Sequence, residues 1–335
     1  MLCPKRNVKL NTTMETVKNH LEADLEKVEE ILSSVLTGSA YEANVNSMCL
    51  HVVKAGGKRI RPRLSILTFH ALDGKKELHE KMLKFASSCE LLHTATLVHD
   101  DVIDKSSLRR GKPTLNDISG NHAAVLAGDY LFTRCFFCIH DVDNQKLFKI
   151  LNETLAALVM GEINQLDKQG DLNISIEDYE KTIYCKTGAL FELTTSGIAI
   201  LNGESDEIVN ALKEYGKQLG IAFQVADDML DYSSSTETLG KSIGEDLEDG
   251  RITLPLILAL RDCTKEDKAI LEKAIKGCDL EKVLKFIHKT DSLNKCHDFA
   301  LKAVEKAELA LKILKDSEYK STLIELAKKA ANRSK

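Results

Sequence analysis

Four prolines in 335 residues leave this chain with little to interrupt a helix. Proline removes a backbone donor and clashes with the preceding turn, so its scarcity permits long continuous helices. Pro4 lies in a polar start, and Pro62, Pro113 and Pro255 each stand beside a charged motif. No stretch sustains the period-two alternation of a half-buried strand, and no two-residue hairpin signal joins strand-like runs. The expected fold is therefore all-α. From Thr16, Val17, Leu21, Leu25, Val28, Leu32, Val35 and Leu36 form one apolar helical face. Residues 1–13 read as an irregular arm, with Met14 as an alternative start, and residues 14–335 as a single all-α domain.

Composition narrows the class. The chain is 43% hydrophobic and 29% charged, a globular balance with ample length for a core. A net charge of -5 argues against a nucleic-acid partner. No apolar run is long enough to span a bilayer, which confines any membrane contact to the periphery. Nine scattered cysteines without a signal peptide point to a reducing, cytoplasmic setting. Cys135 and Cys138 flank Phe136 and Phe137, so they read as core thiols rather than zinc ligands.

Two helix ends carry the chemistry. A helix from about Glu77 to Asp104 ends in Asp100, Asp101 and Asp104, followed by Arg109 and Arg110. Asp100 and Asp104 are one turn apart and share a face. Their oxygens suit a hard ion such as Mg²⁺, which keeps waters and borrows substrate phosphates. The bland alternative for this stretch alone is a solvated acidic turn before a basic loop. The pattern returns at Asp227, Asp228 and Asp231, closing a helix over 205–232. Acidic groups oppose the macrodipole at a helix C-terminus, and twice breaking a local rule points to function.

Basic groups accompany these ends. Gly56-Gly57-Lys58-Arg59-Ile60-Arg61-Pro62 places cations at a helix N-terminus, which itself favours anions. Lys186 and Thr187 lie in a helix expected over Tyr179 to Leu201, and Lys241 and Arg251 lie in a Ser/Gly-rich loop. Glu90 and His93 form a single ExxH, where a ferritin-like di-metal bundle needs two. His93 is then a core histidine or a substrate contact. Six carboxylates need several divalent cations if they face one cavity, and those cations would hold a diphosphate. Lys58, Arg61, Arg109, Arg110, Lys186 and Lys241 would add anion contacts. Metal-assisted ionisation of an apolar diphosphate fits this set, as does diphosphate hydrolysis.

The ordered motifs GGKRIRP, LVHDDVIDKSSLRRGKPT, GDYLFTR, KTGALFE, FQVADDMLDY and LGKSIGEDLEDGRITLPL run from residue 56 to residue 256. In them the chain resembles the trans-isoprenyl diphosphate synthases (polyprenyl synthetases), most of all the long-chain, octaprenyl-type members that supply quinone side chains such as that of ubiquinone. The resemblance implies a helical bundle around a deep central cavity and a homodimer. It implies addition of isopentenyl diphosphate to an allylic diphosphate such as farnesyl diphosphate. By position, Asp100, Asp104, Asp227 and Asp231 would hold Mg²⁺, with Asp101 and Asp228 completing the triads. Lys58, Arg61, His93 and Arg110 would bind isopentenyl diphosphate, and Arg109, Lys186 and Lys241 the allylic diphosphate. Thr187 and Gln224 would shield the allylic cation. Arg251 departs from the lysine of many relatives and puts a planar fork where they have a point charge.

Ala95 and Thr96 stand five and four residues before Asp100, where an aromatic blocks the cavity of short-chain relatives. Small residues there imply a long product near eight isoprene units, with a floor around Leu151 to Met160. The alternatives are a farnesyl- or geranylgeranyl-length product, a class I terpene cyclase, an inactive partner subunit and a hydrolase. A cyclase normally has an Asn/Ser/Glu second motif, and an inactive subunit loses its aspartates. This chain keeps all six.

Overall fold

The computed structural model describes residues 5–233 and 244–332, and these are overwhelmingly helical. The first helix, α1, spans Lys5–Ser34. Residues 5–13 are thus helical where an irregular arm was expected. They contain neither glycine nor proline, and extending an existing helix is far easier than nucleating one. Next come α2 (Ala43–Val53), α3 (Ile60–Ala71), α4 (His79–Ile103) and the short α5 (Leu115–Ser119). The strands among the described residues are β1 (Leu108–Arg109) and β2 (Lys112–Pro113), paired antiparallel with Arg109 opposite Lys112. At the turn, Arg110 and Gly111 have φ of 54° and 73°. Two left-handed residues make the preferred two-residue hairpin loop. This corrects the expectation of no hairpin: the usual Asn or Asp before glycine is replaced by Arg110.

Contact density divides the chain into two compact units. The first comprises Met1–Asn152, Leu193–Leu212 and Lys312–Leu323. Its central element is α4, packed along α6 (Asn121–Val142) and against α1 and α3. Met82, Phe85, Leu91, Leu92 and Ala95 of α4 are fully buried. Burying each large apolar side chain contributes about 1.5–3 kcal/mol. Ser87, Ser88 and Thr94 are buried too, and their hydroxyls donate back to the carbonyls of Leu83, Phe85 and Glu90 at 2.8, 2.7 and 2.8 Å. The polar groups of this core helix are satisfied locally, so it can be covered on several faces. Cys135 and Cys138 are buried free thiols, as expected.

The second unit comprises Glu153–Glu192, Lys213–Leu311 and Ile324–Lys335. Helix α7 (Gln145–Asp167) enters it, followed by α8 (Ile176–Ile183). The continuous helix expected over Tyr179 to Leu201 is interrupted. Tyr184–Gly188 form a single π turn, after which α9 runs over Ala189–Asn202. Such turns insert one residue into the helical ladder and occur at functional sites. This one contains Lys186 and Thr187. Helix α10 (Asp206–Ser233) comes close to it through two glycines. A Cβ on Gly220 would lie 2.6 Å from the Cα of Gly188. The missing side chains let the Gln224 turn of α10 reach Thr187. The short α11 spans Glu245–Glu248, and a helix over Leu254–Asp262 follows, with Pro255 in its first turn.

Candidate active site

A cluster of basic side chains lies in the first unit. Gly56 and Gly57 have positive φ, and Arg59 caps α3 in the left-handed region at φ 47°. That uncommon conformation is held by its own side chain. Arg59 donates to Val53 O at 2.8 Å, to Glu29 at 2.5 and 3.1 Å, and to Glu90 Oε1 at 3.0 Å. The turn presents Lys58 at the surface and directs Arg61 inward. Burial pulls the Arg61 guanidinium down to about 10, with Glu90 opposing the shift and Arg110 adding to it. From the hairpin, Arg110 donates to Gly56 O, and burial lowers its pKa as well.

His93 sits among these cations, and burial holds it well below the ordinary histidine range. The charges of Arg61, Arg110, Arg109 and Arg59 push in the same direction. The ring is thus neutral at physiological pH. Glu90, only 3% exposed, is one of two buried carboxylates set against these arginines, and Glu90, His93, Asp101, Arg109 and Arg110 line one cleft. An excess of guanidinium forks over nearby carboxylate is an anion receptor, and forks match phosphate oxygens.

The acidic end of α4 divides its labour. Asp101 is buried and accepts from Arg109 Nε at 2.7 Å. Arg109 is therefore tied to this triad. Asp100 and Asp104 are half-exposed, one turn apart, and Asp104 caps the helix with its N–H on Asp100 O at 2.8 Å. Upstream, Ala95 is fully buried and Thr96 half-buried, its hydroxyl turned back to His93 O at 2.8 Å.

The second triad is built in the second unit. Asp227 is exposed, Asp231 half-buried and Asp228 buried. Asp231 caps the start of α11, accepting from the backbone N–H of Gly244, Glu245 and Asp246 at 3.2, 3.1 and 3.1 Å. Burial nevertheless raises its pKa. Burial also raises Asp228, with the charge of Asp246 adding to it. Asp246 itself is pushed up to about 7 by burial and then by Asp231, against the pull of Arg251 and Lys186. Lys186 Nζ pairs with Glu162 at 2.9 Å and lies 3.4 Å from Gln165 Oε1. Thr187 donates to Gln224 Oε1 at 2.6 Å. Arg251 pairs with Asp249 at 2.8 Å and reaches Asp246 at 3.4 Å. Lys241 lies outside the described residues.

Among the described residues no three His, Cys, Asp or Glu side chains are gathered into a cage for an ion. The donor chemistry still fits a hard divalent cation. Asp246 disfavours the charge of Asp228 and Asp231 that of Asp246, and a cation relieves such repulsion with oxygen ligands alone. Several participants escaped the sequence reading. Glu162 and Gln165 are three apart on α7 and share a face, which was a usable signal. Arg59 and Asp246 stand inside motifs already singled out. Tyr179 carried no local signal.

The chain is similar to known proteins along most of its length. Residues 42–289 match the family model described as Polyprenyl synthetase. The chain is 41% identical to an all-trans-nonaprenyl-diphosphate synthase (geranyl-diphosphate specific) of Rhodobacter capsulatus, over 88% of this chain and 91% of that one. It is 36% identical to the octaprenyl diphosphate synthase of Escherichia coli, over 92% and 99%. Among solved structures, a polyprenyl synthase from Caulobacter crescentus complexed with calcium and isoprenyl diphosphate superposes with a TM-score of 0.88 at 33% identity, over 96% of this chain and 98% of that one. An all-helical fold, two acidic helix ends and near full-length likeness to long-chain prenyltransferases converge: the chain belongs to the polyprenyl synthetase family, the trans-polyprenyl diphosphate synthases.

Proposed function

We propose that this chain condenses isopentenyl diphosphate head-to-tail with an allylic diphosphate such as farnesyl diphosphate, making a long all-trans polyprenyl diphosphate, octaprenyl in length, for quinone side chains. The observation that carries the reading is the arginine-lined cleft around neutral His93. A second anion receptor beside an acidic helix end suits an enzyme that binds two diphosphates at once. A terpene cyclase or a hydrolase needs only one.

The roles divide accordingly. Lys58, Arg61, His93 and Arg110 hold isopentenyl diphosphate. Arg109, Lys186 and Lys241 hold the allylic diphosphate. Asp100, Asp104, Asp227 and Asp231 are the ligands of Mg²⁺, supported by Asp101 and Asp228. Bound there, the ions would draw electron density from the allylic diphosphate and make it a leaving group. The allylic C–O bond breaks and its electron pair departs with the diphosphate. The double bond of isopentenyl diphosphate supplies the electrons of the new C–C bond, and the proton then lost passes to the released diphosphate. Thr187 and Gln224 present oxygens to the allylic cation, a charge that preorganised dipoles stabilise well. Ala95 and Thr96 leave room for the growing chain.

The unbroken family match over 42–289 supports one prenyltransferase domain within residues 14–335. Leu126 and Phe137 of α6 are 66% and 61% exposed, which supports burial of that face in a homodimer. No helix of the described residues is long and apolar enough to cross a membrane. We place the enzyme in the cytoplasm, touching a bilayer peripherally to release its apolar product. The test is to give the purified chain Mg²⁺ and both diphosphates. Consumption of both with release of inorganic diphosphate is expected. Hydrocarbon from the allylic substrate alone, or phosphate without loss of isopentenyl diphosphate, would overturn the assignment.

A further inference from the structure

A line of four hydrogen-bonded side chains runs through the second unit and ends at Thr187. The buried phenol of Tyr179 donates to Asp228 Oδ2 at 2.5 Å. Gln224 Nε2 donates to Asp228 Oδ1 at 2.8 Å, and Thr187 Oγ1 donates to Gln224 Oε1 at 2.6 Å. The bonds run in one direction along the line. The Tyr179 hydroxyl gives its one proton to Oδ2, and Oδ1 accepts from the Gln224 NH₂ group. With NH₂ on Asp228, Gln224 turns Oε1 to Thr187 and takes the single hydroxyl proton. Thr187 is left with lone pairs alone to offer a ligand.

We propose that Tyr179 is a positioning residue of the reaction: by fixing Asp228, and through it Gln224, it commits the Thr187 proton and keeps that hydroxyl an acceptor toward the allylic cation. This rests on the prenyl-transfer reading above. Three features favour it over simple packing. Tyr179 lies on α8, immediately before the π turn that displaces Thr187, so a bond to α10 ties both sides of that turn. The Gly188–Gly220 approach brings the backbones together at the same level. Both oxygens of Asp228 are occupied within the line, which gives this buried carboxylate one orientation.

The test is a double-mutant cycle of Tyr179→Phe and Thr187→Val, with steady-state kinetics and a metal-free crystal structure of Tyr179→Phe. Removing a residue that orients a reacting group costs about 10- to 100-fold in activity. The expected loss for Tyr179→Phe is in kcat, with the KM of both diphosphates held within about twofold. The double variant should be no slower than Thr187→Val alone. In the crystal, Gln224 should leave Thr187. Additive losses, an unchanged kcat, or an unmoved Gln224 would overturn the inference while the prenyl-transfer reading stands. If wild-type protein consumes no isopentenyl diphosphate, that reading falls and the inference with it. Should Tyr179→Phe fail to fold, Gln224→Met breaks the line at its middle. The same non-additivity with Thr187→Val is then expected, and additivity overturns the inference.

Discussion

Replacing Glu90 with glutamine should weaken the fold and strengthen its response to diphosphate. Glu90 and Arg59 pair at 3.0 Å with side chains 4% and 10% exposed. Removing one charge of a buried pair costs about 3–5 kcal/mol. Arg59 keeps both contacts to Glu29, and the amide keeps an acceptor, so the lower edge of about 3 kcal/mol applies. At about 2.1 cal/mol/K of unfolding entropy per residue, a chain of 335 residues shifts by roughly 1.4 °C per kcal/mol, so unfolding should move down by about 4 °C. Glu90 also offsets Arg61 and Arg110, so its loss leaves their cleft more positive. A ligand stabilises in proportion to the logarithm of its saturation. Inorganic diphosphate should therefore raise the unfolding temperature of Glu90→Gln by more than that of wild type. Thermal unfolding with and without diphosphate measures both effects. An unshifted transition, or an equal response to the anion, would refute Glu90 as counter-charge of the cleft.

Three further outcomes follow from particular contacts. Ala95→Phe places an aromatic at a fully buried position of α4 and should shorten the product, read by chromatography of the dephosphorylated chain. An unchanged length shows that Ala95 does not line the growing product. Gly220→Ala sets a Cβ 2.6 Å from the Gly188 Cα, so it should destabilise by about 1–3 kcal/mol in denaturant titrations and lower kcat by displacing Gln224. Asp24 is buried, which raises its pKa, but hydrogen bonds from His70 and His79 outweigh burial and hold it well below the ordinary value. Its folded pKa is depressed, so the stabilisation is complete above the unfolded value of about 4 and fades as pH falls through the folded one. Asp24→Asn should cost about 2 kcal/mol at neutral pH, and its deficit should shrink below about pH 4 in pH-resolved unfolding.

Much of the site was legible because its chemistry is concentrated in charge patterns that local rules disfavour. Three aspartates ending a long apolar helix stand out without any tertiary information, and so do glycines beside Lys58 and Arg61. The helical class followed from the scarcity of proline and the absence of period-two alternation. What the sequence hid depends on partners far along the chain. Lys186 is held by Glu162 and Gln165, and Asp228 by Tyr179, through contacts that no spacing rule relates. The π turn over Tyr184–Gly188 changes which residues share a face, and no residue type announces it. The hairpin was masked because Arg110 takes a positive φ usually left to Asn or Asp. The pairing of Arg251 with Asp249 depends on the turn of its own loop.

The most direct test of the central claim is the length of the product. Purified chain with Mg²⁺, farnesyl diphosphate and labelled isopentenyl diphosphate should extend the primer by several units to a dominant octaprenyl diphosphate. A dominant farnesyl- or geranylgeranyl-length product, or no incorporation of label, would contradict a long-chain synthase.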